Sequence, residues 1–141
     1  MVKIEKAAAL YSTETYELPK LTESEAHRIA MRTPIPTIVS ELESALTRQL
    51  VAYTVGLKDP KTLTRWASES NPKIRQLDVE RRLRVAFQVV TMLRPWDDDR
   101  TIRAWFVGMN PYLADVAVAE AIRADRDRDA IDAAHEFIAN G

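Results

Sequence analysis

The side chains best suited to specific contacts lie in residues 56–69, GLKDPKTLTRWASE, which carry three basic residues, two threonines and one tryptophan. Arginine and lysine donate hydrogen bonds to phosphate oxygens and to guanine, and the threonine methyl group contacts thymine. The segment contains neither histidine nor cysteine. These residue types therefore favour recognition of a polyanion over bond-breaking chemistry.

A helix is needed to present these groups on one side. Asp59 is a good N-cap, and Pro60 fits the first helical turn because its missing N–H would be unpaired there. The helix is expected to run to about Glu69. The inner face should carry Leu63, Trp66 and Ala67, and the outer face should carry Lys61, Thr62, Thr64, Arg65 and Ser68.

The preceding residues predict a second helix, which Thr47 caps and Gly56 ends. Two short helices joined by a tight glycine-containing turn form a helix-turn-helix, whose second helix can enter the DNA major groove. Ala52 lies four residues before Gly56, as close packing of the helices requires. Leu63 and Trp66 are expected to hold the second helix against the first. An ordinary helical hairpin is the alternative interpretation.

The predicted DNA contacts divide between bases and phosphates. Arg65 is expected to contact a guanine, and Lys61 a guanine or a phosphate, while Thr62 or Thr64 would contact a thymine methyl group. The full predicted set is Arg48, Gln49, Lys58, Lys61, Thr62, Thr64, Arg65, Lys73 and Arg75.

Charge is segregated along the chain, although the net charge is only −1. Residues 47–84 carry nine Lys or Arg against four Asp or Glu, whereas residues 1–46 carry five against seven and residues 85–141 six against ten. A basic middle between acidic ends indicates one face for polyanions and another for a different partner.

The rest of the sequence predicts an all-α fold with no strands, because glycine is scarce and apolar residues recur at helical spacing. A capping box at Thr22 and Glu25 predicts a helix over about 22–31, ended by Pro34 and Pro36. TIVSELESAL predicts another helix. A long buried helix is expected from Asp78, with Leu83, Ala86, Phe87, Val90 and Leu93 inside. An aspartate-capped helix ending near Gly108 and two helices over about 115–123 and 128–139 should follow. An Asn110-Pro111 turn precedes the last two.

Catalysis, metals and cofactors are not expected. The chain has no cysteine and two histidines, His27 and His135, with no nucleophile and base pair and no glycine-rich phosphate loop. Asp125, Asp127, Asp129 and Glu136 have calcium-loop spacing, but Ala130 stands where glycine is required. No apolar run approaches the roughly 20 residues that span a bilayer, so a cytoplasmic protein is expected.

Three segments together resemble the Xre/MbcA/ParS-type antitoxins. They are LTRQLVAYTVGLKDPKTLTRWASE, ERRLRVAFQVVTML and AWFVGMNPYLADVAVAEAIRAD, and the resemblance covers about residues 40–140. Trp105, Asn110, Pro111 and Leu113 match the family's pattern of a tryptophan helix, an Asn-Pro turn and a leucine. The element that follows departs from the family, which commonly has Gly-Arg-Thr-Pro where this chain reads LADVAVAEAI.

The resemblance implies a type II antitoxin that represses its own operon and neutralises a RES-domain toxin, an enzyme that consumes NAD. It implies an N-terminal arm over 1–36, an Xre-like helix-turn-helix domain over 37–93 and a toxin-binding domain over 97–141, in a protein expected to be a homodimer. The implied toxin-binding residues are Trp105, Phe106, Met109, Asn110, Tyr112, Leu113, Ile122, Phe137 and Ile138. Two alternatives remain, a stand-alone helix-turn-helix repressor without a toxin and a protein-binding module without DNA binding.

Overall fold

The computed structural model describes residues 21–140, and in that range the chain forms eight α-helices and one short 3-10 turn. The helices are α1 (Glu23–Arg32), α2 (Ile35–Leu46), α3 (Arg48–Val55), α4 (Lys61–Ser68), α5 (Leu77–Leu93), α6 (Asp99–Val107), α7 (Val118–Arg123) and α8 (Asp127–Asn140). The 3-10 turn, Pro111–Leu113, lies between α6 and α7. The all-α class is confirmed.

Local sequence signals set several helix ends. The Thr22 side chain accepts from the backbone N–H of Glu25, whose carboxylate accepts from the N–H of Thr22, so the predicted capping box starts α1. Asp98 caps α6 through the N–H of Thr101. The Asn110 side chain accepts from the N–H of Tyr112 and shapes the 3-10 turn. These short-range interactions confirm the corresponding predictions.

Helix α3 begins and ends at the predicted residues. The Thr47 hydroxyl accepts from the N–H of Leu50 at 3.4 Å, and Gly56 ends the helix with φ of +83°. The N–H of Leu57 donates to the carbonyl of Ala52 at 2.9 Å, and that of Gly56 also donates to the carbonyl of Tyr53 at 3.2 Å. This pair of bonds is a Schellman motif, which favours glycine because left-handed φ strains other residues.

Helix α5 is the central element of the described chain. It packs against α1, α2, α3, α7 and α8. The five residues predicted to lie inside it are buried, namely Leu83, Ala86, Phe87, Val90 and Leu93. One contiguous apolar core runs from Ala26 to Ala134, and it joins the helix of the predicted arm to both predicted domains.

Two details of the predicted helices before and after the Gly56 turn are wrong. Helix α2 begins at Ile35 rather than at residue 37, because Pro36 occupies the first helical turn, where no N–H partner is needed. Helix α4 packs chiefly against α2 and has little backbone contact with α3. Leu63 and Trp66 are buried in the common core, so they hold α4 mainly against α2.

An ion-pair cluster links the first and last described helices. The Glu23 carboxylate accepts two bonds from Arg128, at 2.7 and 2.8 Å, and lies 2.9 Å from Nε2 of His135. The hydrogen bond from Arg128, helped by His135, lowers the pKa of Glu23 to about 2. The Glu23 cluster therefore connects α1 to α8 most strongly when Glu23 is ionised.

None of the helices described over residues 21–140 combines the length and apolar composition that crossing a bilayer requires.

Replacing Gly56 tests the left-handed turn. We expect Gly56→Ala to lower the free energy of unfolding by about 1–2 kcal/mol, because φ of +83° is unfavourable for a residue with a Cβ. The new Cβ would also lie 2.8 Å from Nη1 of Arg82. Denaturant unfolding of this variant and of Gly108→Ala, whose φ is −76°, measures the difference. The Cβ of Gly108→Ala would lie 3.2 Å from the carbonyl oxygen of Ala104, so this variant reports the cost of a tight contact without a left-handed φ. A loss in Gly56→Ala smaller than that in Gly108→Ala would contradict the strain argument.

The Glu23 cluster makes stability pH-dependent. The pKa of Glu23 is about 2 in the folded chain against an ordinary value of 4.5, so its contribution is complete above about pH 4.5 and is lost as the pH falls towards 2. We expect the wild-type chain to exceed Glu23→Gln in unfolding free energy at pH 6, with the difference vanishing near pH 2. Denaturant unfolding at a series of pH values measures it. A difference that is constant with pH would show that the charge of Glu23 is not responsible.

Candidate nucleic-acid interface

Helix α4 turns an apolar side inward and a polar side outward. Leu63 and Trp66 are buried and Ala67 is half-buried, whereas Lys61, Thr64, Arg65 and Ser68 are exposed. Thr62 is half-buried. The buried leucine and indole fix the rotation of the helix about its own axis, and this rotation decides which polar groups reach solvent.

The start of α4 is fixed by Asp59. Its carboxylate Oδ1 accepts from the N–H of Lys61 at 2.9 Å, and its carbonyl accepts from the N–H of Thr62 at 3.1 Å. Pro60 then has helical angles but no N–H to satisfy. The predicted cap is therefore present, with the regular helix beginning at Lys61 rather than at Pro60.

The basic residues of the middle segment form two groups with different partners. Arg81, Arg82 and Arg84 belong to α5 and pair with carboxylates of the protein itself. Lys58, Lys61, Lys73 and Arg75 are exposed and have no ion pair within residues 21–140. The excess positive charge available to an external partner therefore lies in residues 47–77, which carry six basic residues against two acidic ones.

Two predicted contact residues carry weak internal pairs. Nε of Arg48 lies 3.5 Å from Glu43, and Nε of Arg65 lies 3.6 Å from Glu69 in the next helical turn. Both arginines are largely exposed, and the pair of Arg65 with Glu69 is a surface pair that contributes at most about 1 kcal/mol. Glu43 is only 22% exposed and its Oε2 is buried without a hydrogen-bond partner, so Arg48 is held more firmly. The guanidinium of Arg65 can therefore leave its carboxylate at little cost, whereas departure of Arg48 would leave the carboxylate of Glu43 without its cation. Gln49 is exposed beside Arg48.

Arg82 connects the end of α3 to the start of α8. Its Nη1 donates to the carbonyl of Val55 at 3.1 Å, and its Nε and Nη2 donate to the two carboxylate oxygens of Asp125 at 2.8 and 3.1 Å. The hydrogen bond from Arg82 lowers the pKa of Asp125 below its ordinary value. Because Val55 precedes Gly56, Arg82 holds the turn between α3 and α4 against α5.

A second arginine contacts the same end of α3. Nη1 of Arg123 donates to the carbonyl of Tyr53 at 2.6 Å, and its guanidinium lies 4.6 Å above the centre of the Tyr53 ring. This combines a carbonyl cap with a cation–π contact. Neither arginine has a local sequence signal of its structural role, because the partners of both lie far away along the chain.

The structure divides the predicted toxin-binding residues into buried and accessible ones. Phe106, Asn110, Leu113 and Ile122 are buried and belong to the protein's own interior. Phe106, Leu113 and Ile122 cannot contact a partner in this conformation, so including them in the partner surface was wrong on grounds of burial, whereas Asn110 still lines a surface pocket. Trp105, Phe137 and Ile138 are half-buried against the core.

Met109 and Tyr112 remain as the accessible part of the predicted toxin surface. Their exposed fractions are 79% and 52%. Trp105, whose ring centre lies 5.5 Å from that of Phe137, lines a shallow pocket of about 340 Å³ together with Met109 and Asn110. This small concave surface with an exposed methionine beside it can accept an apolar side chain of another protein.

The remaining titratable candidates have structural partners. Nδ1 of His27 lies 3.3 Å from Oε1 of Gln88, and His135 belongs to the Glu23 cluster. Asp125 and Asp127, two members of the calcium-like spacing, pair with Arg81. Within the described residues 21–140, no group of three or more His, Cys, Asp and Glu side chains is arranged to hold a metal ion.

Comparison of the chain with protein-family models, with curated proteins and with solved structures gave no match.

Proposed function

We propose that this chain is an antitoxin of the Xre type, which binds operator DNA through α4 and a RES-type toxin through the surface around Met109 and Tyr112. The observation that carries the DNA-binding part is the outward polar face of α4, where Lys61 has no acidic partner in the described chain and Arg65 has only a weak exposed pair with Glu69. The arginines of α5, by contrast, are used internally.

Helices α2, α3 and α4 support a helix-turn-helix interpretation. Helix α2 packs against both α3 and α4, and the turn at Gly56 separates the second helix from the third. In such units the third helix enters the major groove and its neighbours contact the backbone. Arg65 and Lys61 would then face bases, while Arg48, Lys73 and Arg75 would meet phosphates.

The toxin-binding part rests on the resemblance together with the exposed surface around Trp105. Methionine and aromatic side chains are common at the centres of protein interfaces. Residues 85–141 carry an excess of acidic residues, which suits a basic partner. The same segment is unsuited to DNA, so the two proposed activities use different parts of the chain.

Two substitutions distinguish base reading from phosphate contact. We expect Arg65→Ala to lose roughly 1–3 kcal/mol of affinity, mainly at one base position, because a bidentate guanine contact would be lost. Lys73→Ala should weaken binding to all duplexes alike and reduce the salt slope by about 1. Both expectations are tested by measuring the affinity for DNA duplexes taken from the region upstream of the gene, over a range of salt concentrations. Arg126→Ala, which pairs with Asp129 in α8, is the control and should bind like the wild type.

Affinity unchanged by both substitutions would show that α4 does not enter the groove. If the chain does not bind duplex DNA even at low salt, the alternative of a protein-binding module without DNA binding would be favoured.

The partner surface is tested separately. We expect Tyr112→Ala and Met109→Asp each to weaken binding to a RES-type protein encoded beside this chain by about 2 kcal/mol or more, as for central interface residues. Titration calorimetry with the purified partner measures the loss, and Lys73→Ala should bind the partner normally. Full affinity in both surface variants would contradict the assignment. The absence of such a neighbouring gene would leave only the stand-alone repressor.

A further inference from the structure

A groove of about 890 Å³ lies between α1 and α8, with α5 as its floor. The floor is one side of α5, where Arg81, Arg84, Val85 and Gln88 recur at helical spacing, and Leu77 lies at its edge as the first residue of the helix. Helices α1 and α8 each pack on α5, and Glu23 joins the two walls through Arg128 and His135. This side of α5 is therefore left uncovered by the described chain.

The groove has an apolar lining with protruding apolar residues at its edges. Ala30, Val85 and Ile131 are buried within it. Leu77 and Met31, which also line it, are 76% and 55% exposed. A hollow beside an exposed leucine and an exposed methionine is a surface on which another protein gains apolar burial.

The charged groups around the groove balance one another. Three acidic residues and three basic residues line it, namely Glu23, Glu80, Asp127, Arg81, Arg84 and Arg128. Each arginine is paired with a carboxylate of its own chain. The surface therefore has no net charge, and two copies of it can meet without repulsion. A strongly acidic or strongly basic partner would gain nothing from it.

We propose that this groove is the homodimer interface, in which Leu77 of each chain enters the groove of a second copy. A two-fold interface requires a protrusion and a matching hollow on the same surface, and Leu77 beside the groove provides both. Its exposure at the first residue of α5 leaves it free to reach across the axis.

The inference rests on the proposed function in one respect, the need for two recognition helices. Residues 69–76 alone separate α4 from Leu77 along the chain, and reading a palindromic operator would require the α4 helices of two copies on one side of the dimer. A helix-turn-helix dimer uses such an arrangement to read two half-sites about one DNA turn apart.

Charged substitutions at the edge of the groove test the interface. We expect the wild-type chain to sediment as a dimer, and Leu77→Arg to raise the dimer dissociation constant at least about tenfold, because a charge would enter the partner's apolar groove. Met31→Arg should act in the same direction. Both side chains are exposed, so neither change should disturb the fold, and circular dichroism with thermal unfolding checks this. Analytical ultracentrifugation over a concentration series gives the constants.

Val107→Arg is the matched control, because Val107 is 55% exposed, like Met31, but lies on α6 outside the groove. It should dimerise like the wild type. The proposal is overturned if the wild type is a monomer throughout, if Leu77→Arg dimerises normally, or if Val107→Arg dissociates equally. A monomer would leave the groove to some other occupant.

DNA binding separates the failure of this proposal from failure of the proposed function. Monomeric Leu77→Arg should retain its affinity for a single half-site and lose only the gain from a paired site. A chain that dimerises through the groove but binds no DNA would keep the interface and reject the DNA-binding function. If Arg65 is required for DNA binding but Leu77→Arg remains a dimer, the DNA-binding function would be kept and the groove interface rejected.

Discussion

Helix α5 packs against five other helices, and arginines near its start donate hydrogen bonds to the ends of its neighbours. Arg84 donates to the carbonyls of Ala30 and Thr33 at the end of α1, and Arg82 donates to that of Val55 at the end of α3. The last carbonyls of a helix have no partner within it, and guanidinium groups satisfy them well. These bonds connect the ends of α1 and α3 to α5, beside the apolar core that the helices share.

This use of arginine decides what is left for an external partner. A count of charges treats all basic residues of the middle segment alike, but those of α5 are already paired with Glu80, Asp125 and Asp127. The basic residues on and around α4 are exposed and do not form such close ion pairs with carboxylates of the described chain. The positive surface is therefore smaller than the sequence indicates and is concentrated beside the helix proposed to contact DNA.

The sequence predicted those features that depend on neighbours a few residues away. The capping box at Thr22, the left-handed turn at Gly56 and the cap at Asp98 are of this kind, and so is the inward side of α4. It could not predict which apolar residues of the last third face inward, because Phe106 and Ile122 are buried by helices distant in sequence. The bond between Arg82 and Asp125 spans 43 residues and has no local signal. The groove along α5 is likewise formed by helices from opposite ends of the described chain.

Thr47 is the single residue between α2 and α3, and its φ of +80° is unusual for a threonine. Such a short link leaves the two helices little freedom to rotate relative to each other, and α4 rests on the first of them while Arg82 fixes the end of the second. The orientation of α4 is therefore set when the chain folds. The backbone of α4 therefore loses its conformational entropy during folding rather than during binding. A ligand that binds α4 has to order only the terminal groups of exposed side chains.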